Sequence, residues 1–186
     1  MRYSLVGACI LLAAVFGAAY FLHSKPLVDL SNTTPDTTTS TTSAQVVGMP
    51  YPAGQGMMTY KSTLYHFEVT YPSSLGQVSD RDEGKGAHSI VFDDGKDKTF
   101  QVFVTPYSGT TIGRDRFLAD EPSGVMTGQQ DVVIDGVRGT KFYSTANSIG
   151  DTVEVWFIHG GYLYEALSYK ELEPWLAQIM STWKFI

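Results

Sequence analysis

The chain has 186 residues, 43% hydrophobic and 13% aromatic, with 19 acidic against 13 basic side chains and a net charge of −6. That length holds one ordinary domain with extensions, and the apolar content excludes a wholly disordered chain. A net acidic chain is poorly matched to nucleic acid, whose phosphates reward basic surface, so no nucleic-acid partner is expected.

Residues 1–25 open the chain with Met1-Arg2-Tyr3-Ser4, after which residues 5–22 carry no charged side chain. As a helix that run would span about 27 Å, close to the roughly 30 Å hydrocarbon core of a bilayer. A membrane anchor is expected, with a signal peptide cut near Ala19 as the alternative, since Gly17 and Ala19 put small residues at −3 and −1. Arg2 ahead of the run, against His23 and Lys25 behind it, gives a slight bias toward a cytoplasmic N-terminus. The expected location is therefore the cell membrane, single-pass, with the C-terminal domain outside the cytoplasm; cleavage would make the protein secreted. The lone cysteine, Cys9, lies inside the apolar run, so the following domain has no disulfide. A lipoprotein signal needs its apolar segment before the cysteine, and here it follows.

Residues 26–56 read as a linker. Residues 31–43 hold no apolar side chain apart from Pro35 and cannot nucleate a core. As a flexible chain the linker reaches about 30 Å, which would keep the domain near the membrane surface. Asn32-Thr33-Thr34 matches a glycosylation acceptor, although a plain spacer is the simpler expectation.

The globular domain is expected over residues 57–186. Residues 60–71 alternate imperfectly and end at Pro72, which suggests one early strand stopped by proline. Residues 73–87 are polar and turn-rich. Strands are expected over residues 89–92 and 99–104, joined through the acidic turn containing Asp93, Asp94 and Asp97. Residues 112–119 suit a short helix capped by Thr110 or Thr111. Residues 131–134 and 138–144 form a hairpin about Asp135-Gly136.

The strongest signal follows. Residues 152–158 and 162–169 are β-branched and aromatic runs joined through His159-Gly160-Gly161, and both glycines can adopt the positive φ of a tight turn. If the glycines are the central pair, His159 faces Tyr162. Val153, Val155, Phe157, Tyr164 and Ala166 then share one face; Glu154, Trp156, Ile158, Leu163, Glu165 and Leu167 share the other. Two largely apolar faces place this hairpin centrally in a sheet covered on both sides. Residues 171–180 have helical spacing, with Pro174 tolerated only in the first turn. Residues 182–186 read as a closing strand. The fold class is α+β, a mostly antiparallel β-sheet with helices on both faces.

Four segments together resemble the PsbP/Mog1-type α/β/α sandwich of small exported bacterial proteins. They are Tyr65-His66-Phe67-Glu68-Val69-Thr70-Tyr71-Pro72, the Val133-Ile134-Asp135-Gly136 hairpin running to Lys141, Gly161-Tyr162-Leu163-Tyr164, and the tail Ile179-Met180-Ser181-Thr182-Trp183-Lys184-Phe185. The family pattern has glycine where this chain has His66 and phenylalanine where it has Trp183. The resemblance implies a binding or assembly-assisting domain, because relatives assist photosystem assembly or bind a small GTPase, and it supplies no shared catalytic residues.

No nucleophile elbow, zinc His-Glu-x-x-His, Cys-x-x-Cys or phosphate-binding loop occurs. No catalytic residue, cofactor or metal is expected, and Asp93, Asp94 and Asp97 lack the spacing of a calcium loop. Glu154 and Glu165 flank Trp156 on one face, where crowding would raise one carboxyl pKa. They suit acid–base work, a cation site, or a wet sheet margin paired with Lys141 or Arg138. Tyr143, Tyr107, Tyr162, Tyr164, Tyr169, Trp175 and Trp183 extend an aromatic surplus in which polar ring atoms want partners. The candidate binding surface is Tyr143, Glu154, Trp156 and Glu165. The expected function is a membrane-tethered domain outside the cytoplasm that binds an envelope protein without catalysis. The alternatives are an envelope hydrolase using Glu154 and Glu165, or a pilin-like surface subunit.

Overall fold

The computed structural model describes residues 56–146 and 149–186. The expected membrane anchor, its cleavage site and the linker up to residue 55 lie outside the described residues. Among the described residues no helix is long and apolar enough to cross a membrane.

Two sheets make the fold. A seven-stranded antiparallel sheet has the order β3 (Gln77–Gly84), β4 (Ala87–Asp93), β5 (Thr99–Pro106), β9 (Tyr162–Tyr169), β8 (Gly150–His159), β7 (Val137–Ala146), β6 (Thr127–Ile134). A second sheet has β2 (Phe67–Pro72) between β1 (Met57–Ser62) and β10 (Lys184–Phe185). Helix α1 (Arg114–Asp120) lies on one face of the large sheet, whereas α2 (Glu173–Met180) and the small sheet lie on the other.

The Gly-Gly hairpin sits centrally, as expected. Gly160 and Gly161 adopt φ of 58° and 86°, a left-handed pair that closes the turn without a Cβ clash, and His159 faces Tyr162. The first face of this hairpin meets the main core. There Phe157 stacks on Tyr164 with ring centroids 5.1 Å apart, and Trp183 stacks on Phe67 at 4.2 Å. Leu176, Ile179 and Met180 of α2 fill the same layer against Val153 and Val155. Pro174 occupies the first turn of α2, where its missing N–H costs nothing.

Three expectations need correction. Residues 60–71 form a hairpin, not one strand: β1 and β2 pair antiparallel, and the Ser62 hydroxyl accepts the Tyr65 N–H at 3.2 Å inside the turn. The imperfect alternation is the turn itself. His66 takes a φ of 55° there, so the place where the resembled family has glycine is one that needs left-handed backbone. Second, residues 77–84 are a strand. β3 is an edge strand, and its Asp80, Arg81, Asp82 and Glu83 hide it from hydropathy patterning while the backbone pairs with β4. Third, α1 begins at Arg114 with Gly113 at its N-cap and has no side-chain cap from Thr110 or Thr111.

The C-terminal tail is tied down by polar contacts. Thr182 Oγ1 accepts the Thr70 N–H at 2.9 Å, and Asp135 accepts the Phe185 N–H at 2.9 Å and Lys184 Nζ at 2.9 Å. Those two donors hold the Asp135 carboxyl below the usual carboxylate range.

Candidate functional site

The second face of the central hairpin carries the unusual chemistry. Glu154, Trp156 and Glu165 project from it, with Glu165 directly opposite Trp156 and Glu154 on the diagonal. α1 covers all three. Phe117 drops from α1 between Phe142 and Trp156, at ring-centroid distances of 5.8 and 5.5 Å. Ile112 and Met126 pack round this aromatic trio. As a result Glu154 is 3% exposed, Trp156 2% and Glu165 5%. Three of the four candidate surface residues thus lie under a helix and not at an open surface.

The two carboxyls have different surroundings. Glu154 accepts the Thr152 hydroxyl at 2.9 Å and the Trp156 indole N–H at 2.8 Å. Burial is the main cause that pushes its carboxyl up to about 8, and the neighbouring Glu121 adds to it; the two donated hydrogen bonds work against the rise. Glu165 is raised well above the ordinary value, first by burial and then by Asp120, with Arg116 opposing. Arg116 pairs with Asp120 within α1, lies 3.6 Å from Glu165 through Nη2, and sits 5.8 Å over the Tyr107 ring. Asp120 is raised by burial against the pull of Arg116. Glu121, also buried, accepts the Ser123 hydroxyl at 2.7 Å, and Ser123 contacts Ser144 at 3.2 Å. Such a layer can hold protons near neutral pH and can donate a hydrogen bond from a neutral carboxyl.

Tyr143 is separated from these groups. It pairs with Val153 and so lies on the α2 face. Its hydroxyl donates to Glu173 at 2.6 Å, and the ammonium groups of Lys141 and Lys170 sit 5.2 and 5.1 Å from its ring centre. Lys141 pairs with Glu173, which corrects the expectation that Lys141 serves the Glu154–Glu165 pair: its register with Val155 turns it to the other face. Burial raises the Glu173 carboxyl, but Lys141 and Tyr143 outweigh it and the net shift is downward. The cleft beside this network, lined by Val132, Val155, Leu176 and Met180, encloses about 20 Å³. That is room for about one water and no small molecule.

The acidic turn satisfies itself. Asp94 Oδ1 accepts the backbone N–H groups of Lys96, Asp97 and Lys98 at 2.8, 3.1 and 3.1 Å, and Asp93 accepts that of Gly95 at 2.8 Å. His88 pairs with Asp80 at 2.7 Å, and His159 lies against the Phe185 ring at 3.9 Å. Among the described residues no group of three or more His, Cys, Asp or Glu side chains is arranged to hold a metal ion. Sequence reasoning missed Arg116, Asp120 and Glu121. Arg116 and Asp120 stand four apart on a helix, which is a visible pairing signal, but nothing local says that α1 folds onto Glu154 and Glu165.

No family model matches the chain. No curated protein matches it either. Among solved structures the chain is similar to the cyanobacterial PsbP protein (CyanoP) of Synechocystis sp. PCC 6803, with 14% identity and a TM-score of 0.49, over 75% of this chain and 99% of that one.

Proposed function

We propose that the chain is a membrane-tethered domain outside the cytoplasm that binds another envelope protein and turns over no substrate. The α1 face is its contact surface. One observation carries this reading: α1 and the turn after it present apolar side chains to solvent above a sealed layer. Leu118 and Val125 are each 37% exposed, and the turn closes on the helix at Gly124, where a Cβ would come within 3.2 Å of Leu118 Cδ2. Aliphatic side chains grouped at a surface mark contact sites more often than scattered ones do. The uncharged run of residues 5–22 supports tethering.

A hydrolase reading draws on one specific observation, the shared face and raised pKa of Glu154 and Glu165. It requires substrate to reach carboxyls that α1 covers, so contact is the simpler use of this face. The test is site-specific photocrosslinking in the native membrane, with the crosslinker at Leu118 and, as control, at exposed Lys61 on β1. A discrete adduct from Leu118 alone is expected. Adducts of equal pattern from both positions, or none from Leu118, would sink the reading.

A further inference from the structure

The two edges of the large sheet are unlike. β3 is guarded: Asp80, Arg81, Asp82 and Glu83 line it, its register shifts between Asp82 and Gly84, and the Tyr60 hydroxyl of the small sheet donates to Asp80 at 2.8 Å. Charge, irregularity and cover are the devices that keep an edge strand from pairing. β6 ends in Val132-Val133-Ile134, carries one charged side chain, Asp131, and pairs with β7 alone.

The backbone groups of β6 follow from its turn. Asp135 and Gly136 have φ of 44° and 83°, a two-residue turn that makes Ile134 and Val137 a hydrogen-bonded pair. Alternation then directs the N–H and C=O of Val132 and Ile134 to β7, and those of Asp131 and Val133 to the open edge. Among the described residues no other backbone group bonds to that edge. Val133 is 42% exposed; Asp131 and Arg138 are also exposed, and neither has an ion pair among the described residues.

We propose that β6 pairs antiparallel with β6 of a second copy of this chain, Asp131 opposite Val133 of that copy, joining two large sheets into one.

Charge selects this register. Outward-facing residues must meet as hydrogen-bonded pairs, so Asp131 could also face Asp131, or Val133 face Val133. The first alternative sets like charges opposite each other, and the second sets Asp131 opposite Asp135, which is no better. With Asp131 on Val133, the two symmetric pairs exchange two hydrogen bonds each. Within one copy Asp131 lies beside Thr140 and Val133 beside Arg138. Across the joint, the row therefore runs Thr140, Asp131, then Val133 and Arg138 of the second copy. Asp131 and that Arg138 are two strand spacings apart, about 10 Å between Cα atoms, which the two side chains can span over Val133. Symmetry makes this ion pair twice. Because β3 is guarded, pairing stops at two copies. The two-fold axis stands perpendicular to the sheet, so both small sheets, which the chains enter at Gly56, lie on the same face. That arrangement suits two copies tethered to one membrane, and tethering raises their effective concentration. The joint uses a different surface from α1, so it stands or fails independently of what α1 contacts.

Sedimentation of the full-length protein in density-matched detergent tests it, and a monomer–dimer equilibrium is expected. Val133→Pro removes only an outward N–H, so it leaves the β7 ladder intact and should abolish the dimer. D131R or R138E alone should weaken the dimer about tenfold, and the double variant should return it to within about threefold of wild type. Far-ultraviolet circular dichroism checks that each variant is folded; if Val133→Pro is not, the charge variants decide. A wild-type protein still monomeric at about 100 μM overturns the proposal. So does a dimer that persists in folded Val133→Pro, which would place the contact in another segment, or a charge-reversed double variant no tighter than the single ones.

Discussion

Replacing Glu154 with glutamine should make the protein less sensitive to alkali. The Glu154 carboxyl is pushed from 4.5 to about 8 in the folded chain, chiefly because it is buried. A raised carboxyl pKa means that the folded state holds a proton the unfolded state has lost. Its contribution is complete below pH 4.5, declines across the interval to pH 8 and is gone above it. At 1.36 kcal/mol per pKa unit, that interval amounts to about 5 kcal/mol of stability lost with rising pH. Glu154→Gln has no proton to lose. Its amide cannot reproduce both accepted hydrogen bonds, at a pH-independent cost of about 1 kcal/mol. The variant should therefore be slightly weaker than wild type at pH 5 and stronger by roughly 3–4 kcal/mol at pH 9. Urea melts followed by far-ultraviolet circular dichroism at five pH values measure the difference. A difference constant within about 0.5 kcal/mol from pH 5 to 9 would refute the reasoning.

Other substitutions probe the remaining framework. His66→Gly relieves a non-glycine residue at φ 55° and should raise stability by up to about 1 kcal/mol in thermal melts, after the extra entropy of glycine in the unfolded chain. Glu173→Gln leaves Lys141, only 9% exposed, without its charged partner and should cost about 2 kcal/mol at pH 7. Because the Glu173 carboxyl is lowered, its contribution is present above the ordinary carboxylate range and lost as pH falls, so the two proteins should converge in acid melts. Gly139→Ala puts a Cβ 2.7 Å from the Trp156 carbonyl oxygen on the central strand β8 and should destabilise by about 1–3 kcal/mol in urea melts.

Much of the sheet was legible because its turns announce themselves. Gly160-Gly161 and Asp135-Gly136 set the registers of two hairpins, and the first of these registers puts Glu154, Trp156 and Glu165 on one face. β3 was not legible, since an edge strand exposing Asp80, Arg81, Asp82 and Glu83 has the composition of a loop. The hairpin of β1 and β2 was obscured because His66 occupies a left-handed turn position without being glycine. The upper half of the acidic layer was hidden for a different reason. Arg116, Asp120 and Glu121 reach the sheet through a docking contact between distant segments, and local periodicity carries no information about it. Tyr143 was grouped with the wrong partners because one residue of register sends a side chain to the opposite face.

The account depends most on a neutral carboxyl at Glu154, sealed under α1. A carbon-13 NMR titration of glutamate side-chain carboxyls in the folded full-length protein, with the Glu154 signal assigned by its loss in Glu154→Gln, reads that proton directly. The account predicts a midpoint near 8. A midpoint at the ordinary glutamate value, about 4.3, would contradict it and with it the sealed layer on which the α1 face rests.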